Sequence, residues 1–197
     1  MKKILFSLVL TLVTLFAFAT KPHIVNVIVN AESSTVKWVG SKVASSHEGN
    51  IKIQKGFLAL DHGTLVGGQM SIDMNSITTT DIENEKYRAK LDSHLKDEDF
   101  FNVEQFPLAI INITKAVRGE GNVYEIVADL TIKGITNSIT FEADVNINGS
   151  NYSAKSKIKI DRTKWGIRYG SGSFFEDLGN KMILDEILFD VFLLSVK

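Results

Sequence analysis

The chain has 197 residues, no cysteine, two prolines and a formal net charge of −1, with 44% hydrophobic and 23% charged residues. Acidic and basic residues are interspersed and form no basic patch, which argues against nucleic acid as a partner. With no cysteine the fold takes nothing from disulfides yet tolerates an oxidising compartment; with no linker, repeat or low-complexity run, the length fits one domain.

Met1-Lys2-Lys3 precedes an apolar run, Ile4 to Phe18, which ends in Ala17-Phe18-Ala19. A positive start, a short apolar stretch and a small-residue exit describe a secretory signal peptide over 1–19, cut after Ala19, and hence a periplasmic or secreted protein. The run is shorter than the roughly 20 residues a spanning helix needs, so after cleavage nothing is expected to span a membrane. No cysteine follows it, which excludes a bacterial lipoprotein anchor. Losing Lys2 and Lys3 leaves 20 basic against 23 acidic residues in 20–197, the single domain expected.

Residues 24 to 29 (IVNVIV) are β-prone and predict a short edge strand. Residues 34 to 41 predict a strand with Val36, Trp38 and Gly40 on one face. Over 47 to 60 the apolar phase slips, from odd (Ile51, Ile53) to even (Leu58, Leu60). A β-bulge near Lys55-Gly56 would produce that slip and help curve a sheet. After the turn residues Asp61-His62-Gly63, Gly68, Met70, Ile72 and Met74 alternate with Gln69, Ser71 and Asp73.

The period then changes. Thr80-Asp81-Ile82-Glu83 resembles a capping box, and Tyr87, Leu91 and Leu95 recur every four residues, predicting a helix over about 82–95 within a helical insertion at about 82–102. Asp97-Glu98-Asp99 opens a short turn, Phe100-Phe101 follow, and Pro107 returns the chain to an extended form. Strands are expected over 108–117, 123–133, 136–148 and 151–161. The stretch YEIVADLTIKGITNSITFEADVNI carries the clearest pattern. Tyr124, Ile126, Ala128, Leu130 and Ile132 fall on one face, and Ile139, Phe141, Ala143, Val145 and Ile147 continue it after Gly134. On 151–161, Lys155, Lys157 and Lys159 face solvent. A glycine-rich loop, 165–180, precedes a last strand over about 183–195.

Eight long strands without βαβ alternation predict an all-β fold, an eight-stranded antiparallel barrel. Strands of about 12 residues span on the order of 40 Å, twice the usual length, which predicts an elongated interior. Eight strands are the number at which a barrel either fills its interior or holds one small ligand.

Catalytic chemistry is not visible. His23, His47, His62 and His94 lie far apart without metal-ligand spacing. His94 sits near the helix end, where histidine favours the dipole. Asp97 to Asp99 read as a solvated turn rather than an acid–base pair. Gly170-Ser171-Gly172-Ser173 lacks the ending of a phosphate loop and reads as a flexible loop at a barrel mouth. The chain therefore reads as a binding protein, not an enzyme, with no metal or cofactor motif. Phe100, Phe101, Phe106, Trp165, Phe174 and Phe175 cluster in connections, where they either plug the barrel or form the mouth of a ligand tunnel.

Several stretches together resemble the YceI-like family of lipid- and polyisoprenoid-binding, lipocalin-like periplasmic proteins. They are STVKW (34–38), GGQMSIDM (67–74), His94-Leu95-Lys96 through Asp99-Phe100-Phe101 to Phe106-Pro107, LTIKGIT (130–136), and Ile160-Asp161-Arg162-Thr163 with Gly166-Ile167. They follow the family's order and cover about 33–196. The resemblance implies a lipocalin-like barrel holding an isoprenoid chain, such as an isoprenoid quinone or other polyisoprenoid lipid. The wall is then expected to comprise Trp38, Met70, Ile72, Ile111, Leu130, Ile132, Phe141 and Phe189. Phe100, Phe101, Phe174 and Phe175 are expected near an opening. Two departures stand out. Asn137-Ser138 replaces a more usual Lys-Pro, and Ile187 to Leu194 is apolar on both faces. Leu188 and Phe192 then point outward, under a packed helix or as an interface that would make a homodimer. The competing reading is a filled barrel that serves as a stress-response or interaction module without a lipid.

Overall fold

The computed structural model describes residues 23–149 and 151–196, so the expected signal peptide lies outside the described residues. Nine strands and one α-helix follow in order: β1 (Ile24–Ile28), β2 (Thr35–Lys42), β3 (Ser46–Asp61), β4 (Thr64–Thr79), α1 (Glu85–Lys96), β5 (Leu108–Arg118), β6 (Val123–Ile132), β7 (Ile135–Asn148), β8 (Asn151–Asp161) and β9 (Ile183–Leu194). Every strand pairing is antiparallel. The sheet runs β1-β3-β2-β9-β8-β7-β6-β5-β4 and closes where β4 returns to β3.

β1 is the short edge strand that its sequence suggests, pairing with β3 alone among the strands, and it also completes a stave. β1 and β2 lie end to end along β3, with Ile28 opposite Phe57 and Val36 opposite Ile51, so the nine strands make eight staves. The end of this segment also reaches β9: Val29 bridges Ser195, and Asn30 N–H donates to the Leu194 carbonyl at 2.7 Å. The barrel is eight-stranded, closed and lipocalin-like, with one short helix.

The β6–β7 hairpin forms as its alternation dictates. Ile132 pairs with Ile135 across a two-residue turn in which both Lys133 (φ 49°) and Gly134 (φ 72°) are left-handed. That is the I′ geometry whose twist matches the strands. The phase slip of β3 is also a bulge: Ile53 faces Ile72 and Lys55 faces Ser71, leaving Gln54 unpaired in the ladder. The strand consequently buries Ile51 and Ile53 before the slip and Leu58 and Leu60 after it. β4 is longer than the alternation over 68–74 suggests, running from Thr64 opposite Asp61 to Thr79 opposite Gly49.

The helix starts later than a capping box at Thr80 would place it. Asn84, not Thr80, is the N-cap, and its side chain accepts from Tyr87 N–H at 3.2 Å. Thr80 is held instead by β3, its N–H donating to the Glu48 carbonyl at 2.9 Å. The expected apolar stripe is also shorter: Leu91 and Leu95 turn towards the barrel, while Tyr87 is 64% exposed.

The 165–180 segment is tied down rather than loose. A 3₁₀ turn, Arg162–Trp165, buries Trp165, and Ser171 is fully buried with its neighbour Gly170 accepting from Ile183 N–H at 2.8 Å. Leu188 does lie on the outer face of β9, 48% exposed, and no helix among the described residues covers it; Phe192 is half-buried beneath the Lys155 ammonium, 5.7 Å from its ring centre.

Candidate functional site

The inward faces of the eight staves do not fill the barrel. They enclose a cavity of about 230 Å³ whose wall is almost wholly hydrocarbon. Alanines explain much of the space. Ala109, Ala143 and Ala154 occupy wall positions on β5, β7 and β8, where a larger side chain would reach inward. The end beside the 61–64 turn is packed shut by Tyr124, Tyr152, Leu58, Leu60 and Leu65, all buried.

The opposite end is roofed by the helical insertion. Leu91 and Leu95 of α1, with Phe100 and Phe101 after it, contribute to the cavity lining. His94 braces Phe100 from outside: its ring meets Phe100 edge-on at 5.0 Å and Tyr169 at 4.7 Å, and Nε2 lies 3.3 Å from Asp99 Oδ2. Trp165 closes the same end, its Nε1–H donating to the Leu130 carbonyl at 2.9 Å.

Arg162 organises this end. Its guanidinium, 1% exposed, donates to the carbonyls of Ile167 (2.9 Å), Leu184 (3.1 Å) and Ile183 (3.1 Å), and lies 3.4 Å from Asp185 Oδ1. Burial pulls its pKa down; Asp185 and Asp161 oppose that shift and favour the charged form. Two polar atoms of the neighbouring wall, Trp38 Nε1 and Thr79 Oγ1, are buried without a partner among the described residues. They share one rung of the sheet, since Trp38 pairs with Gly49 and Gly49 with Thr79. Gly49 is required there: a Cβ would lie 2.6 Å from the indole and closer still to the Thr78 carbonyl.

Of the twelve residues singled out from sequence, ten line the cavity: Trp38, Met70, Ile72, Phe100, Phe101, Ile111, Leu130, Ile132, Phe141 and Phe189. Phe174 and Phe175 do not. They are 46% and 51% exposed, because Ser173 Oγ donates to Asp185 (2.6 Å) and both phenylalanine N–H groups donate to Ser171 O, which turns the chain outward. Phe174 packs beneath the Arg168 guanidinium instead, 4.5 Å from its ring centre.

A model of the YceI-like domain matches residues 28–193. The chain belongs to the YceI-like family. Curated relatives include a UPF0312 protein of Staphylococcus aureus, 33% identical over 114 residues, covering 54% of this chain and 61% of that protein. Protein YceI of Salmonella newport is 31% identical over 99 residues, 46% of this chain and 48% of its own length. The chain thus spans about half to three-fifths of the curated relatives it matches. Among solved structures, Burkholderia cenocepacia BcnA superimposes with a TM-score of 0.69 at 23% identity, covering 85% of this chain and 99% of that one. A polyisoprenoid binding domain from Saccharophagus degradans, implicated in plant cell wall breakdown, gives 0.65 at 16% identity, covering 89% and 98%. At these identities the likeness is one of fold. No helix among the described residues is long and apolar enough to cross a membrane.

Proposed function

We propose that this YceI-like protein is a carrier that holds a long apolar lipid of the polyisoprenoid class inside its barrel, for transport, storage or sequestration. The observation that supports it is the hydrocarbon-walled cavity left unfilled along the barrel. Each methylene moved from water into such a wall contributes about 0.8 kcal/mol. A five-carbon isoprene unit therefore contributes roughly 4 kcal/mol, so about one to four units offset an association cost of about 4–15 kcal/mol. This attraction is non-directional: cavity length would select chain length, and polar atoms at the rim would select the head. An isoprenoid quinone fits that description. The likeness in fold to the polyisoprenoid binding domain of Saccharophagus degradans agrees with this reading. The space inside weighs against a filled barrel, and the apolar lining suits binding rather than catalysis.

The test is organic extraction of the purified protein followed by mass spectrometry, with titration of isoprenoid quinones into the stripped protein. A dry barrel that also ignores the added quinones ends the carrier reading. We propose further that the protein is exported to the periplasm or beyond, on the strength of its first 19 residues. The exported form should then begin at Thr20 by intact mass, and an uncut amino terminus would refute export by this route. The exposed Leu188/Phe192 face is proposed as a homodimer contact. Light scattering should give a lower mass for Leu188→Ser/Phe192→Ser than for the native chain; equal masses would end that idea.

A further inference from the structure

β7 and β8 are consecutive strands, yet their ladder runs only from Asn148 opposite Asn151 to Ala143 opposite Ser156. Beyond that rung, residues 135–142 pair with β6 alone and 157–161 with β9 alone among the described residues. The two staves have parted. The foot of the gap is clipped where Ser156 Oγ donates to the Glu142 carbonyl at 2.6 Å, and its head where Asn137 Nδ2 donates to the Lys164 carbonyl at 3.0 Å. Between the clips about four residues of β7 are unladdered, a slot of roughly 13 Å at about 3.3 Å per residue.

A further observation makes this an opening rather than a local irregularity. Ile139, Phe141 and Ile158 line the cavity beside the slot. Ala143, Lys155 and Ser156 border both the cavity and a groove on the outer surface that continues to Lys157, Asp190 and Phe192. The interior and the outer groove meet at the foot of the slot. Unladdered N–H and C=O groups along both lips need water, and an open sheet edge is a liability that barrels ordinarily remove by closure. Retaining one beside the apolar cavity suits a passage.

We propose that the slot between β7 and β8 is where a slender apolar chain enters and leaves the barrel sideways. This rests on the carrier reading. Lengthwise, the packed tyrosines close one end, and α1, Phe100 and Phe101 cover part of the other, where Ser41, Lys42, His47 and Leu184 also border the cavity. Sideways, a chain meets only the two lips.

The chain has no cysteine, so introduced thiols report alone. Ile158→Cys should react with a water-soluble maleimide at least tenfold faster than Ile126→Cys on the intact wall. Equal protection of the two would mean the slot is shut and would overturn the proposal. In a second arm, Thr140→Cys/Lys159→Cys, which face each other when the β7–β8 register is extended, is bridged by a short bis-maleimide. Loading of a dansylated farnesol should slow at least tenfold after bridging, and protein loaded before bridging should retain the probe. Loading at the unbridged rate refutes the passage. If the native protein takes up no probe, the carrier reading fails and the passage with it, while the maleimide rates still report whether the wall is open.

Discussion

Arg162 carries more of the structure than any other charged residue described, because its burial is matched by acceptors. Arg162→Met would leave the Ile167, Ile183 and Leu184 carbonyls without their donor. The expected loss is about 3–5 kcal/mol in urea unfolding, the range for breaking a buried charge network. Lysine should rescue little, since one ammonium cannot span the same fork. A loss below about 1 kcal/mol would mean those carbonyls find water. Tyr152 is the opposite case. Its hydroxyl is buried with no partner among the described residues, and burial pushes its pKa well above the ordinary 10.0. The folded state thus keeps a proton that the unfolded state releases from about pH 10 upward, so stability is independent of this group's titration below that pH and declines above it. Tyr152→Phe should equal or exceed the native protein by about 1 kcal/mol at pH 8. Its advantage should widen at pH 11, read from denaturation midpoints; a constant gap would show that the hydroxyl is hydrated. Single inward residues were legible from alternation, which is why Trp38, Met70 and Leu130 fall on the cavity wall. Arg162 was not, because what distinguishes it is three carbonyls, two of them over 20 residues away in sequence.

At the scale of elements, alternation and turn chemistry were sufficient wherever one ladder ran unbroken, as in β6–β7, and the phase slip of β3 revealed its bulge. Local sequence misled where a long-range partner competed for the same residues. Thr80 has the chemistry of a helix cap, but β3 takes its backbone N–H through Glu48 and the helix begins after Asn84. Asn84→Ala should therefore cost about 1 kcal/mol, the usual value of an N-cap. Thr80→Ala should cost under half as much, its hydroxyl making only an exposed 3.3 Å contact with Glu48 O. The reverse order in thermal or urea unfolding would restore the capping-box assignment. The parting of β7 from β8 left no trace in the pattern, since both strands keep their period of two whether or not they pair. Phe174 and Phe175 were misplaced for a related reason: the buried Ser171, three and four residues earlier, accepts both their N–H groups and decides the loop's direction.

For the molecule as a whole, the β3–β4 pairing closes the sheet into a barrel, and the cavity is a region where wall atoms lack contacts on one side. An apolar chain that restores those contacts binds the folded state alone and stabilises it by mass action. At a free concentration one hundred times Kd the gain is about 2.7 kcal/mol. For a chain of this size each kcal/mol shifts Tm by about 2–4 °C, so stripped protein given excess isoprenoid quinone should melt roughly 5–11 °C higher. Location can be read from the same scan. Ala109→Phe puts a ring into the space that Ala109 leaves on β5. It should hold or raise the Tm of the empty protein and cut the lipid-induced shift by at least half. A full shift in Ala109→Phe would put the lipid on the outer surface rather than in the barrel. No shift in the native protein would leave the interior a structural void with no carrier role.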